Sequence, residues 1–259
     1  MPDLRGVGIL VTRPDLQTEP LCRLLEASGA VVFRLPVIAI QPISDFSEIR
    51  GRLAAHERLD LAIFTSANAV KYGAALLEGR PSLPLAAIGS ATARALAAEG
   101  RRVAITPADG ADSESLLLHA ALAHPVDHHV LIVKGVQGRD LLQTQLTLRG
   151  ADVIVAEVYM RERVEHGAVE LAALAARFAD DEIDVVTATS ADIAHHLLDL
   201  ATPVLRRALD RVQWLVPSER VAQEVRKRGV KAPLLQADSA EDQDLLAAIG
   251  RWRSSASGA

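Results

Sequence analysis

The chain has 259 residues, 49 % of them apolar but only 3 % aromatic, and a net charge of −5. That length suits one large domain or two of ordinary size, while the acidic balance and scarce aromatics speak against a nucleic-acid or membrane-surface protein and against base stacking. No apolar run reaches membrane-spanning length, the N-terminus does not resemble a signal peptide, and the one cysteine, Cys22, sits among apolar helix positions, so a soluble, cytoplasmic protein in a reducing compartment is expected.

In chain order, a short β-branched strand is expected over 8–12 (GILVT), then a helix to Ser28 with Asp15 as its cap and Gly29 as its stop. A second strand starts over 31–33. The segment RLPVIAIQPI carries Pro36 and Pro42 and reads as an edge strand or a linker, because proline removes a ladder donor. An apolar strand over 61–64 ends in Thr65-Ser66 and feeds a helix to Glu78. A strand follows at LAAIG, then a helix over 91–99 stopped by Gly100, a strand over 103–106, a polar loop over 107–112, and a helix over 113–123. The strand over 130–133 leads into a glycine-bearing turn over 134–139, a helix ending near Gly150 and a strand over 153–159. Next come a helix over 169–178 and a strand from Ile183. The last elements are a helix through 190–200, a strand over 212–216, a helix over 218–228, a strand over 232–235 and a helix over 241–252. Residues 254–259 read as a disordered tail.

Alternating strands and helices mean parallel sheets covered on both faces. The pattern also repeats. GVGILVT…GAVVFRLPVIAI pairs with HHVLIVKG…GADVIVAEVYMR, and LDLAIFTSANAV pairs with EIDVVTATSADIA. LAAIGSATARALAAEG pairs with QWLVPSERVAQEVRKRG. Three blocks recur in the same order, which predicts an α/β protein of two similar domains, each a parallel sheet flanked by helices. Periodicity leaves open whether those domains are consecutive.

The motifs ILVTRP, FTSANAV, AIGSATARAL, the helix after Gly138-Arg139 that leads to EVYMR, and VPSERVAQEV together resemble the uroporphyrinogen-III synthase family over nearly the whole chain. The resemblance implies two α/β domains joined by a two-stranded linker, with the active site in the cleft between them. Domain 1 would take residues 1–35 and 163–259, domain 2 residues 43–156, and the linker strands 36–42 and 157–162. It further implies a lyase that cyclises hydroxymethylbilane, an open-chain tetrapyrrole, to uroporphyrinogen III. Ring D is inverted and water is lost, with no cofactor and no metal. A monomer without nucleic-acid or membrane partners is expected. The alternative is a non-catalytic two-domain α/β binder of an anionic small molecule. An appended DNA-binding module, which a regulatory relative would need, is not expected, because Ala259 follows directly on the last repeat block.

A substrate with acetate and propionate on every pyrrole needs many anion sites. Strand ends that run into helices offer oriented N–H groups, here at Thr65, Ser66, Ala67 and Asn68, at Ser90 and Thr92, at Ser190, and at Ser218 and Arg220. Serine and threonine also cap helices in any protein, so both readings stand. Arg13 and Arg139, beside Gly138, follow core strands at points taken as equivalent in the repeat. An arginine fork suits a carboxylate, and a surface salt bridge is the other reading, as it is for Lys134. Tyr159 ends a strand and by alternation alone suits an interfacial core. The resemblance places it at the family's proposed acid, and a phenol can donate a proton to a leaving hydroxyl. His128-His129 and His195-His196 are neighbours without further nearby ligands in sequence and predict no metal site. Neither a phosphate-loop, a dinucleotide fingerprint nor a nucleophile-elbow spacing is present.

Overall fold

The computed structural model describes residues 1–56, 58–108, 110, 112–136 and 138–256. It divides into two compact units, Met1–Ala39 with Glu162–Ala259, and Ile40–Arg161. The chain begins in the first unit with β1 (Gly8–Val11), α1 (Asp15–Ala27) and β2 (Val31–Arg34), and leaves it along β3 (Ile38–Pro42). The second unit holds α2 (Ser47–Ala55), β4 (Leu61–Phe64), α3 (Ala67–Gly73), β5 (Leu85–Ala87), α4 (Ser90–Ala98), α5 (Ser113–Leu117), β6 (His129–Gly135) and α6 (Leu141–Leu148). The chain returns along β7 (Asp152–Arg163). It then completes the first unit with α7 (Ala168–Ala179), β8 (Val185–Thr187), α8 (Ala191–Leu200), α9 (Pro203–Leu209), β9 (Gln213–Val216), α10 (Glu219–Lys227), β10 (Leu234–Gln236) and α11 (Asp242–Ala256).

The first sheet has the order β10-β9-β8-β1-β2 and the second β3-β7-β6-β4-β5. Neighbours β1 to β2, β1 to β8, β8 to β9 and β9 to β10 are parallel, as are β6 to β7, β6 to β4 and β4 to β5. The repeat read from the sequence therefore maps strand on strand: β1 onto β6, β2 onto β7, β8 onto β4 and β9 onto β5. β10 maps onto a single bridge, Ala86 to Ile105, beyond β5. The connecting strands run in opposite senses. Ile43 N–H donates to Val158 O at 3.0 Å and Val164 N–H to Val37 O at 3.2 Å. The proline-bearing β3 is an edge strand of its sheet, where a missing donor costs least.

Period-two alternation explains the core of the second unit. Ala62, Phe64, Leu131, Val133, Ile154 and Ala156 face one buried cluster, and Leu61, Ile63, Val130 and Ile132 face the other. Both faces are apolar because helices cover both. The twin helices α1 and α6 also end alike. Gly29 and Gly150 each take φ +91°, and the next residues, Ala30 and Ala151, donate back to Leu25 O and Leu146 O. A side chain would be strained at that φ, so glycine stops both helices.

Several local expectations need correction. The strand over 103–106 is reduced to the Ile105 bridge. The helix over 113–123 stops at Leu117, with a 3-10 turn at Ala120–Leu122, and the helix expected to reach Glu78 turns 3-10 at Ala74–Leu77. Pro14, not Asp15, holds the cap position of α1. The strand over 153–159 runs on to Arg163, and α11 continues to Ala256, so the expected tail is helical over 254–256. Residues 257–259, like 109 and 111 of the polar loop and Gln137 of the 134–139 turn, lie outside the described residues. Sequence reasoning passed over two helices. In α2 Leu53 is the buried residue and Gly51 lies mid-helix, so no apolar stripe marks it. α9 carries a signal that was there to be read: Pro203 follows Thr202, whose Oγ1 accepts from Leu205 N–H at 3.3 Å.

Candidate functional site

A doubly wound sheet binds ligands where successive crossovers leave in opposite directions, outside the carboxyl ends of the strands. In the second unit that point lies between β4 and β6, since β4 leads outward to β5 and β6 outward to β7. Past Phe64, Thr65 N–H still donates to Val133 O at 3.1 Å, and its hydroxyl reaches the same oxygen at 3.2 Å. Ser66 then turns the chain into α3. Its Oγ accepts from Ala69 N–H at 3.0 Å, satisfying one of the helix's free donors.

On the neighbouring strands the pairing slips between Lys134 and Gly135, so that Gly135 faces Tyr159. The missing side chain at Gly135 is where the tyrosine ring rests: a Cβ there would stand 2.7 Å from its Cζ. Tyr159 is buried, and its hydroxyl lies 3.1 Å from Ser66 Oγ. Tyr72 packs against the ring with centroids 6.3 Å apart, and the Arg161 guanidinium lies 5.9 Å from the ring centre. Gly135→Ala should cost about 1–3 kcal/mol, the range for overpacking a closed site. Urea unfolding of the variant measures it.

Thr65, Tyr159, Gly138 and Arg139 converge, with Ser113 and Arg161, on one recess of ≈ 140 Å³. Ser66 sits behind it through the tyrosine hydroxyl. Lys134 forms part of the wall, but its charge is engaged: Nζ donates to Gly138 O at 2.8 Å and to Asp140 Oδ1 at 2.6 Å. Arg139 is exposed and pairs with Glu114 at 2.5 Å, holding that carboxyl below its usual range. Of the remaining candidates in this unit, Ala67 is exposed, Asn68 and Thr92 are buried, and Ser90 is exposed in the first turn of α4. Ser90 does not cap α4; Gly89 holds that position. Ser113 and Arg161 were not singled out from the sequence. Arg161 carried a signal, two residues beyond Tyr159 on the same strand and hence on the same face.

In the first unit the corresponding point lies between β1 and β8. Gly8 N–H donates to Asp184 Oδ2 at 2.8 Å just as His129 N–H donates to Asp60 Oδ2 at 2.9 Å. With these residues superposed, Arg13 falls on Lys134, not on Arg139, which corrects the equivalence expected from the sequence. Arg13 is buried and fully engaged in its own unit. It pairs with Asp242 at 2.5 Å, donates to Thr189 Oγ1 at 3.2 Å and also bonds Ala240 O. Its guanidinium ties β1 to α11. Arg13→Met should cost about 3 kcal/mol, the low end for breaking a buried pair, because the Asp242 side chain is 30 % exposed and can rehydrate. Denaturant midpoints at constant slope would report it. Ser190 and Ser218 are helix caps, accepting from Ile193 N–H at 3.2 Å and Val221 N–H at 3.4 Å. Arg220 is exposed in the first turn of α10.

Fold and site define a class: a two-unit, doubly wound α/β protein with a small polar recess at the strand-order reversal of one sheet. The family model described as uroporphyrinogen-III synthase HemD matches residues 19–247. The uroporphyrinogen-III synthase of Escherichia coli (strain K12) is 32 % identical over 94 % of this chain and 100 % of its own length. A mutant uroporphyrinogen III synthase from the extremely thermophilic bacterium Thermus thermophilus shares the fold with a TM-score of 0.62, at 22 % identity over 95 % of this chain and 98 % of that one. The uroporphyrinogen-III synthetase of Helicobacter pylori 26695 does so with a TM-score of 0.54, at 17 % identity over 93 % and 97 %. The chain belongs to the uroporphyrinogen-III synthase family.

Proposed function

We propose that the chain cyclises hydroxymethylbilane to uroporphyrinogen III, inverting ring D and releasing water, in tetrapyrrole biosynthesis. The observation that carries this reading is the match to a relative of that name along that relative's whole length. The geometry adds its support. At ≈ 140 Å³ the recess is well below the roughly 300–1,000 Å³ of pockets that enclose a drug-sized ligand. It suits one acidic side chain or one reacting group of the bilane, with Arg139 and Arg161 at its rim.

In this reading Tyr159 is the acid that assists the departing hydroxyl. Ser66 Oγ already accepts from Ala69 N–H, so its own proton can be given to the phenol oxygen. The phenol proton is then directed at the substrate, and the developing phenolate is stabilised by the same serine. Thr65, Ser66, Ala67, Asn68, Ser90, Thr92, Gly138, Arg139, Ser190, Ser218 and Arg220 are the proposed substrate contacts, through hydroxyls, backbone N–H groups and charge. For Arg13 the proposed part is indirect, holding the strand end of its unit in place. A cytoplasmic monomer is the proposed working form. Among the described residues no helix is long and apolar enough to cross a membrane.

Incubation of the purified chain with freshly made hydroxymethylbilane, followed by separation of the product isomers, tests the activity. Uroporphyrinogen III formed well above the rate of a protein-free control is the expected result. The uninverted isomer alone, at the control rate, would leave the non-catalytic anion binder as the correct reading.

A further inference from the structure

The amino ends of β6 and β7 gather a second group of side chains, at the edge of the sheet opposite the recess. His129 opens β6 and Asp152 opens β7, and the two are register partners. His56 is the C-cap of α2. Its Nε2 lies 3.0 Å from Asp152 Oδ2, and His129 Nδ1 lies 3.2 Å from the same oxygen. The imidazoles meet edge to face, with centroids 5.0 Å apart.

The geometry points to a surface site for a zinc-class divalent ion, with His56 Nε2, His129 Nδ1 and the Asp152 carboxylate as its ligands. The donors lie within 4.8 Å of one another. Tetrahedral zinc, with bonds of about 2.0–2.1 Å, sets its ligand atoms about 3.4 Å apart. The two nitrogens need to draw back from Asp152 Oδ2 by only a few tenths of an ångström to reach that spacing. His56 is also oriented as a metal ligand is. Its Nδ1 lies 2.9 Å from Arg52 O, and a carbonyl only accepts, so Nδ1 carries the proton and Nε2 is the nitrogen left for a metal. Without an ion, the contact of Nε2 with a carboxylate needs a second proton on the ring. In keeping with that, the Arg52 carbonyl and then Asp152 raise the His56 pKa, and His56 foremost lowers that of Asp152. A divalent ion replaces that proton between the same atoms. Two imidazoles and one carboxylate suit zinc over magnesium or calcium. The carbonyl end of α2 adds a favourable potential for a cation. The ion would tie the end of α2 to the two strands, away from the recess, so the inference stands independently of the proposed reaction.

The test is calorimetric titration of zinc chloride into the full chain, freed of any affinity tag, with magnesium chloride as a control. One equivalent of zinc should bind and raise the unfolding temperature, and magnesium should do neither. His129→Ala and Asp152→Asn, the latter keeping shape and hydrogen bonding, should each weaken binding by about tenfold or more. Circular dichroism establishes that the variants are folded. The same loss in either folded variant supports the site. Absence of stoichiometric zinc binding, or binding that survives both substitutions unchanged, overturns it.

Discussion

Tyr159→Phe is expected to slow turnover of hydroxymethylbilane while the product stays the inverted isomer. The hydroxyl of the terminal hydroxymethyl group is expelled as water by push from its own pyrrole nitrogen, which gives an electrophilic azafulvene that closes without an enzyme. Closure in solution joins the ring ends directly. The harder task is to hold the chain so that attack falls on the substituted carbon of ring D, giving a spiro intermediate that rearranges. That is positioning work, and in the role proposed for it the phenol would contribute only to the departure. The loss should therefore fall below the full general-acid factor of about 10²–10⁴. Phenylalanine keeps the ring seated on Gly135 and beside Tyr72 and removes the hydroxyl's contact with Ser66, so the fold is not at risk. Initial rates with isomer separation measure both quantities. Unchanged turnover would take Tyr159 out of the chemistry. A change to the uninverted isomer at enzymatic rates would assign it to the geometry of closure.

Gly8→Ala should be the most damaging single methyl in the first unit. A Cβ at Gly8 would stand 1.7 Å from Glu182 O. The obstacle is backbone, which no rotamer change can relieve. Gly8 also sits where β1 meets the chain entering β8, bonding Asp184 through both its N–H and its carbonyl. Overpacking of side chains costs about 1–3 kcal/mol and occasionally more; against backbone, the loss should reach or exceed about 3 kcal/mol. For a chain of this size that lowers the melting temperature by about 6–12 °C. Gly51→Ala is the matching control. Gly51 lies inside α2 with nothing within 4 Å of its absent Cβ, so the substitution should stabilise the protein by about 0.5–1 kcal/mol. Thermal melts of both variants, followed by circular dichroism, check the pair. A Gly8→Ala protein that melts with the wild type would show that the chain before β8 yields freely.

The fold was legible because the repeat was. Three blocks in the same order gave two similar sheets, and four strands of each align one to one. The register within a block was not legible. Matching Arg13 to Arg139 rested on turns that follow similar strands, whereas Asp60 and Asp184, each bonded to the start of the neighbouring strand, fix Lys134 as the counterpart. Apolar strands look alike after a shift of a few residues, and only pairing with a neighbour decides the shift. The serine caps at Ser66, Ser190 and Ser218 were readable from local chemistry. Local chemistry did not tell that Tyr159 rests on Gly135 and touches Ser66, a contact across 93 residues. The histidines show the same limit. His128-His129 drew notice as neighbours, yet His129 meets His56 and Asp152, which lie on two other elements.

The first unit is built from both ends of the chain, and this bears on its birth at the ribosome. Residues 40–161 form a continuous stretch, so the second unit holds everything its own sheet core needs once that stretch has emerged. β1 has no such freedom. Its neighbour β8 lies far downstream; the bond from Thr12 N–H to Thr187 Oγ1 spans 175 residues. At about 5–20 residues per second, translation leaves β1 and β2 waiting roughly 9–35 s for their partner. Through that interval an apolar, four-residue strand that is wholly buried in the native sheet stands with one edge unpaired. The nascent chain is thus most exposed to chaperones and to wrong pairing along β1.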